Sequence, residues 1–286
     1  MTYILYNELA NNGAGKASAD EAAKLYAEKN PELKNVVGLD IRSFIGGLGR
    51  DDKVILCGGD GTLNRFVNDM EDSVAECGLY LYKSGTGNDF FNDIGAGESD
   101  KPVRINEYLA NLPTVTVAGK TRRFINGIGY GIDGMACEVA DRMKAEGKEN
   151  INYASISIKL LLFHYKCPNA KVTVDGKTYE YKKVWLCSSM KGRYYGGGMK
   201  IAPDQDRNGD SLSAVVLHGS GKLKTLMIFP GIFKGEHVKH EDVVAVKRGK
   251  EIKVEFDRPM ALQIDGETVS GVTEYSVKLP EYAVVE

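Results

Sequence analysis

The chain has 286 residues, 43% apolar and 27% charged, with a formal net charge of −2; this excludes a disordered or low-complexity protein and suits one large globular domain or two. No apolar run approaches the ~20 residues needed to span a bilayer, and the opening MTYILYNELANNG lacks the leader of a secretion signal. Five scattered cysteines without a CxxC pair suit reduced thiols rather than a disulfide framework or a zinc site, so the expected location is cytoplasmic.

In chain order, residues 3–6 (YILY) read as a first strand ending at Asn7. The loop ELANNGAGK leads to Lys16, and Ser18 with Glu21 has the spacing of a capping box for a helix running to about residue 29. A weak strand is expected near residues 38–43. Then comes KVILCGGDGTLNRFVN, residues 53–68, around which the chain is organised. Val54, Ile55 and Leu56 suit a strand buried on both faces. Gly58-Gly59-Asp60-Gly61 breaks it, and Thr62 opens a helix to about residue 76, with Leu63, Phe66 and Val67 on one side. Glycines let the backbone approach a ligand, and the amides and dipole of a helix start favour an anion, so this layout suits phosphate. A carboxylate there opposes phosphate unless it meets Mg²⁺ or the hydroxyl being phosphorylated, which makes Asp60 the candidate catalytic residue.

Residues 79–82 form another strand and run into KSGTGNDF, a further glycine turn before a helix start. Strands alternating with helices to about residue 112 indicate a parallel sheet with helices on both faces. In such sheets the loops at the strand C-terminal ends converge on one crevice. Three glycine-rich loops there describe a nucleotide-sized site.

Beyond residue 113 the pattern changes. Strands at 114–117 and 122–125 flank an Ala118-Gly119 turn, and the glycine run NGIGYGIDG leads to helices at about 135–146 and 151–164. Strands follow at 171–174, 178–181, 184–188, 212–217, 243–246, 251–256 and 259–264, with a helical patch at 222–234. Asp175-Gly176 and Asp265-Gly266 are hairpin signals. This is an antiparallel β domain, and residues 275–279 are expected to return to the first domain. The expected boundaries are 1–121 with 273–286, and 122–272. Residues 122–272 carry 24 Lys and Arg against 18 Asp and Glu, and the remainder 13 against 21. The basic segment reads either as a face toward an anionic surface or as solvated charge. Lys182, Lys183, Lys191 and Arg193, among Tyr179, Tyr181, Tyr194 and Tyr195, are the expected membrane-facing patch. His237 and His240 lack a ligand-spaced acidic or Cys partner and read as solvated.

The loops form an ordered set. They are Asn7…Ala10-Asn11-Asn12-Gly13, Gly58-Gly59-Asp60-Gly61-Thr62-Leu63-Asn64 and Gly85-Thr86-Gly87-Asn88-Asp89-Phe90. Then come Asn126…Gly129…Gly131…Asp133, Gly196-Gly197-Gly198-Met199-Lys200-Ile201-Ala202-Pro203 and Asp265-Gly266-Glu267. Over essentially its whole length the sequence resembles the diacylglycerol kinase catalytic-domain family, which includes soluble bacterial diacylglycerol kinases, sphingosine kinases and ceramide kinases. GGDGT is shared with NAD kinases and phosphofructokinases, whereas GTGNDF and GGGMKIAP are more specific to the lipid kinases.

The resemblance implies an NAD kinase-like α/β nucleotide domain, a C-terminal antiparallel β-sandwich, and a cleft between them where ATP and lipid meet. It implies Asp60 at the catalytic centre and Glu267 as general base; on sequence alone both compete for the base role, with Asp60 favoured as organiser of Mg²⁺ and phosphate. ATP is expected on Asn7, Lys16, Gly58, Gly59, Gly61, Thr62, Thr86, Gly87 and Asn88. Two departures stand out. The family's first loop reads Asn-Pro, but here Glu8 follows Asn7. Its Asp-Asp-Gly-x-Leu run is here Asp206-Arg207-Asn208-Gly209-Asp210-Ser211-Leu212, leaving Asp206 and Asp210 as candidate ligands of a structural Mg²⁺.

The expected function is therefore an ATP- and Mg²⁺-dependent lipid kinase, peripherally associated with the inner membrane face, with diacylglycerol the favoured acceptor among lipid alcohols. Its expected partners are the lipid acceptor and an anionic membrane surface, not nucleic acid, and a homodimer stays open. The alternatives are an NAD kinase-type phosphotransferase, opposed by GTGNDF and GGGMKIAP, and a catalytically silent regulator, opposed by the retention of Asp60 and Glu267.

Overall fold

The apolar run at residues 54–57 becomes the middle strand of a five-stranded sheet. A computed structural model describes the chain apart from residues 14, 72, 74, 86, 149, 150 and 281–286. The chain divides after Asn111 into two units, each with its own sheet. The first contains β1 (Thr2–Tyr6), β2 (Glu32–Asn35), β3 (Lys53–Gly58), β4 (Gly78–Lys83) and β5 (Val103–Arg104), ordered β2-β1-β3-β4-β5. The pairs β1–β2, β1–β3 and β3–β4 are parallel, and β5 joins β4 antiparallel. Because side chains alternate along a strand, Ile55 and Cys57 pack with Ile4 against Ala19 and Ala22 of α1 (Gly15–Lys24). Val54 and Leu56, pointing to the other face, are buried too. Helices α2 (Ile41–Gly46) and α3 (Asp60–Asp69) add buried Ile41, Ile45, Leu63, Phe66 and Val67. Two short helices complete the unit, α4 (Asp89–Asp93) and α5 (Asn106–Leu109).

Some local expectations are corrected here. Residues 38–43 are not a strand: Ile41 and Ile45 have helical spacing, and Asp40 caps α2 by accepting from the Ser43 amide at 3.0 Å. The strand lies earlier, at β2. Ser18 is inside α1 rather than at its cap, and α1 and α3 stop short of residues 29 and 76.

The second unit holds β6 (Thr114–Val117), β7 (Lys120–Arg123), β8 (Gly127–Gly131), β9 (Ala170–Val174), β10 (Lys177–Tyr181), β11 (Leu186–Met190), β12 (Leu212–Leu217), β13 (Val244–Gly249), β14 (Glu251–Ile264) and β15 (Glu267–Lys278). They pair antiparallel in the order β13-β12-β11-β8-β14-β15-β6-β7, with the β9–β10 hairpin also on β14. The two strands expected at 251–256 and 259–264 are one. Its first part pairs with β9 and its last residues with β8, and its register against β15 slips between Glu255 and Leu262. Inside this antiparallel sandwich Tyr130 stacks on Phe256, 3.8 Å between ring centroids, and meets Tyr275 edge-on at 5.5 Å. The glycine run expected as a loop is β8. Its glycines are packing positions: a Cβ on Gly129 would lie 2.7 Å from Gln263 Nε2 and 2.8 Å from Asp133 Cβ. A second core lies under the helices α6 (Ile132–Ala145), α7 (Tyr153–Lys159), a π-helical turn (Leu160–His164) and α8 (Lys222–Ile228).

The expected boundary at 121/122 is also corrected. The β6–β7 hairpin belongs to the second sheet because Thr114, Val115 and Thr116 pair with Lys278, Val277 and Ser276 of β15. The same pairing keeps residues 273–278 in that unit rather than returning them to the first, and residues 281–286 lie outside the described residues.

Two ionisable groups buried in the second unit titrate in opposite senses. Asp133, second in α6, accepts the Tyr195 hydroxyl, which also shares a 2.7 Å hydrogen bond with Ser188 Oγ. Burial pushes its carboxyl up to about 6. His237, expected to be solvated, is 2% exposed: Nε2 donates to the Ile201 carbonyl at 2.9 Å, and Nδ1 is buried with no hydrogen-bond partner among the described residues. Protonating Nδ1 would bury an unsatisfied N–H, and burial lowers the ring to about 4. Asp133 therefore binds its proton more tightly folded than unfolded, so its stabilisation is lost as pH rises from about 4 to about 6. His237 binds its proton more weakly folded, so its contribution is lost as pH falls from about 6.5 to about 4. The two slopes oppose each other. Urea unfolding at pH 4.5 and 6.5 should show Asp133→Asn losing on the order of 2 kcal/mol on acidification relative to the unmodified protein. His237→Gln should gain a similar amount. Parallel pH profiles for all three proteins would contradict this assignment.

Candidate active site

Adjacent parallel strands deliver adjacent loops at their C-terminal ends. β3 leads through Gly59 into α3, and β4 leads through residues 84–88 into α4. Asp60, the first residue of α3, ties these loops together. Its amide donates to the Gly87 carbonyl at 2.9 Å. Its carboxylate accepts the amides of Asp89, at 2.8 Å to Oδ2, and Phe90, at 3.0 Å to Oδ1. Asp60 is 9% exposed, so these are charge-assisted bonds in a largely dry setting. Gly59 is obligatory on steric grounds, because a Cβ there would lie 2.3 Å from the Gly87 carbonyl oxygen. Thr62 packs its side chain over Gly58, and Gly61 is open on its outer side.

The remaining expected nucleotide contacts of this unit stand around the same strand ends. Asn88 donates through Nδ2 to the Gly85 carbonyl at 2.9 Å, while its Oδ1 is buried with no hydrogen-bond partner among the described residues. That acceptor and the open glycine backbone are features a nucleotide can use, and to this extent the residues fit ATP. Thr86 lies outside the described residues. Asn7 folds its own loop, its Oδ1 accepting from the Leu9 amide at 2.9 Å and its carbonyl from the Ala10 amide at 3.1 Å. Lys16 is exposed and paired with Asp20 one helical turn on, at 3.0 Å.

In the second unit Glu267 opens β15 and pairs with Arg122, its carboxylate about half exposed. Asp265, two residues earlier, accepts three consecutive amides, from Ile125 at 2.6 Å, Asn126 at 2.9 Å and Gly127 at 3.0 Å. Arg207 is buried, donating to the Ile125 carbonyl and to Asn126 Oδ1, both at 2.6 Å. The departure from the family's acidic run thus has a structural use: its arginine braces the segment that Asp265 also holds. Asp206 accepts from the Asn208 amide at 3.0 Å, and Asp210 is exposed with Lys250 3.7 Å away. Among the described residues no group of three or more Asp, Glu, His or Cys stands in metal-holding geometry. The donor set accordingly fits a cation that brings phosphate and water ligands with it, as Mg²⁺ commonly does.

The expected basic patch does not form as one surface. Lys182 and Lys183 are exposed, but Lys191 is 1% exposed, and Tyr181 and Tyr195 are buried. Lys191 Nζ donates to the Gly209 carbonyl at 3.2 Å, and burial followed by the nearby Arg207 lowers its pKa to about 8. What the sequence reading missed is a cavity of about 610 Å³ between α6 and α7, lined by Met135, Val139, Met143, Ile156 and Leu160, with Arg142, Lys159 and His164 also bordering it. Met135, Val139 and Met143 recur every four residues on α6, which was a readable signal.

Two family models match the chain, one after the other. Residues 1–118 match the model of the diacylglycerol kinase catalytic domain, and residues 126–284 match that of the YegS C-terminal NAD kinase beta sandwich-like domain. The chain is 25% identical over 264 residues to a diacylglycerol kinase of Mycobacterium tuberculosis, covering 88% of this chain and 84% of that protein. A diacylglycerol kinase of Bacillus subtilis is 23% identical over 219 residues, covering 76% and 71%. A crystal structure of a diacylglycerol kinase from Bacillus anthracis superposes with a TM-score of 0.69 at 19% identity, covering 98% of this chain and 94% of that one. Among the described residues no helix is long and apolar enough to cross a membrane.

The contact between the two loops can be tested by adding one carbon to either side. Gly59→Ala drives a methyl into the Gly87 carbonyl and should destabilise the first unit by about 1–3 kcal/mol in chemical denaturation. At Gly87 a Cβ would meet Asp60 Oδ2 at an ordinary 3.7 Å. Gly87→Ala should therefore stay within about 0.5 kcal/mol of the unmodified protein. Equal stability of the two variants would show that the loops do not pack as described.

Proposed function

This chain belongs to the diacylglycerol kinase catalytic-domain family, and on that premise we propose that it transfers the γ-phosphoryl group of ATP to the hydroxyl of diacylglycerol, giving phosphatidic acid. The observation that carries the reading is the Asp60 tie. It holds two glycine-rich loops against each other at the ends of neighbouring strands, which pre-positions backbone amides for phosphate. Gly58, Gly59, Gly61, Thr62, Gly87 and Asn88 are the proposed nucleotide contacts, with Thr86 and Asn7 by resemblance. Lys16 can exchange its exposed partner Asp20 for a phosphate oxygen.

Mg²⁺, when bound with the nucleotide, supplies neutralisation of phosphate charge. Asp60 is the carboxylate proposed beside it, since it opens α3 at the point where the two glycine-rich loops meet. Glu267 is the proposed general base that takes the hydroxyl proton as the acceptor oxygen bonds to the γ-phosphorus and ADP leaves. Arg122 fixes the direction of that carboxylate. The α6–α7 cavity supports a lipid acceptor: about 610 Å³ is within the usual range for ligand sites, and apolar walls beside cationic groups suit acyl chains under a polar head.

Incubating the protein with labelled ATP, Mg²⁺ and a total lipid extract should yield labelled phosphatidic acid, identified by mass. Glu267→Gln should lower turnover by about 10²–10⁴-fold while ATP binding, measured by calorimetry, is retained. A phosphorylated soluble nucleotide as the only product would contradict the reading. So would turnover unaffected by Glu267→Gln.

A further inference from the structure

Large apolar side chains rarely stand exposed in a cluster without a reason. Among the described residues of the second unit, Ile158, Phe163, Leu223, Met227 and Phe233 stand exposed on just two segments, 151–166 and 221–234, and only Val246 does so elsewhere. Phe163, Leu223 and Met227 are the extreme cases, at 72%, 76% and 75% exposure. The two segments are neighbours. Lys222 Nζ donates to the Leu162 carbonyl at 2.8 Å, bringing the start of α8 beside the π-helical turn that carries Phe163. Leu223 and Met227 are one turn apart on a single side of α8. Phe233 meets Phe229 edge-on, just past the end of α8, and borders the same hollow as Tyr153 and Ser157 of α7.

The charge on these segments is of one sign. They contain Lys159, Lys166, Lys222, Lys224 and Lys234 and not one Asp or Glu. Lys224 is paired with Asp242 from outside, and Lys159, Lys166, Lys222 and Lys234 are exposed. A second copy of the chain would bring lysines against lysines, so the complement of this face must be anionic around an apolar centre. That is the layering of a bilayer with acidic headgroups. The α6–α7 cavity is bordered by Lys159, Leu160 and His164 of the segment that carries Ile158 and Phe163.

We propose that α7, the π-helical turn, α8 and the 3₁₀ turn Phe229–Lys234 form the face by which this protein docks on an anionic membrane surface, with Phe163, Leu223 and Met227 entering the acyl boundary. The inference stands on these exposed side chains and does not need the kinase reading. Binding is scored without ATP, so lost phosphoryl transfer with retained docking bears on that reading alone.

The test is co-sedimentation of the full chain with vesicles of phosphatidylcholine, alone or mixed with phosphatidylglycerol. The unmodified protein should prefer the mixed vesicles, and the preference should weaken as salt shortens the Debye length. The triple variant Phe163→Ser, Leu223→Ser, Met227→Ser should bind both kinds at least about tenfold more weakly, with an unchanged melting temperature because none of the three is a core residue. Lys159→Gln, Lys222→Gln and Lys234→Gln together should remove the preference for anionic lipid, at roughly fivefold per lysine. Lys182→Gln with Lys183→Gln should leave binding as it was. No sedimentation of the unmodified protein, or binding by both triple variants equal to that of the unmodified protein, would overturn the proposal. So would a dimer in sedimentation velocity that the serine variant converts to monomer with vesicle binding unchanged, which would assign the face to a second copy.

Discussion

A buried carboxylate that accepts two backbone amides is the constraint on which the first unit's two glycine-rich loops depend. An amide at a helix start has no partner within its own helix, and a buried carboxylate has no solvent to shield it. Asp60 and the first turn of α4 remove both costs at once, with bonds of 2.8 and 3.0 Å. The strands β3 and β4 bring the loops side by side, but a parallel pair alone leaves its connecting turns free to move. The carboxylate fixes them, and Gly59 allows the backbone contact that the bonds require. Catalysis by positioning needs such rigidity before any nucleotide arrives.

The second unit uses the same device. Asp265 sits in a hairpin turn at φ 47° and takes three consecutive amides from residues 125–127, where β8 begins. Its turn leads directly into β15, which starts at Glu267, so the candidate base is carried by a hairpin anchored two residues away. Arg207 completes the brace from the other side by donating to Ile125 and Asn126. In both units an acidic residue in a glycine turn turns a flexible loop into a fixed one. The chemistry proposed for this family member is built on those two anchors.

Much of the frame was readable in the amino-acid sequence. The buried run at Val54–Leu56, the glycine turns after successive strands and the Asp-Gly hairpins are local signals, and they produced an α/β unit followed by an antiparallel one. What escaped depends on distant partners. Asp60 and the amides it holds are about thirty residues apart, so no local pattern says that the carboxylate faces inward. Lys191 and His237 look like surface residues by type, yet each is buried with a backbone carbonyl from another segment accepting its hydrogen bond. The strand β8 was hidden because its glycines, which read as a loop, make room for Asp133 and Gln263. Residues 273–278 were assigned to the wrong unit because a strand's sequence does not say which neighbour it pairs with.

Asp60 holds the second loop through the amides of Asp89 and Phe90, and amide hydrogen exchange reads those two bonds one by one. In Asp60→Ala both amides should lose protection by an order of magnitude or more, while those of Ile55 and Leu81, inside the strands, keep theirs. If Asp89 and Phe90 exchange as slowly in the variant as in the unmodified protein, Asp60 does not hold the loop, and the account of the site built on it is wrong.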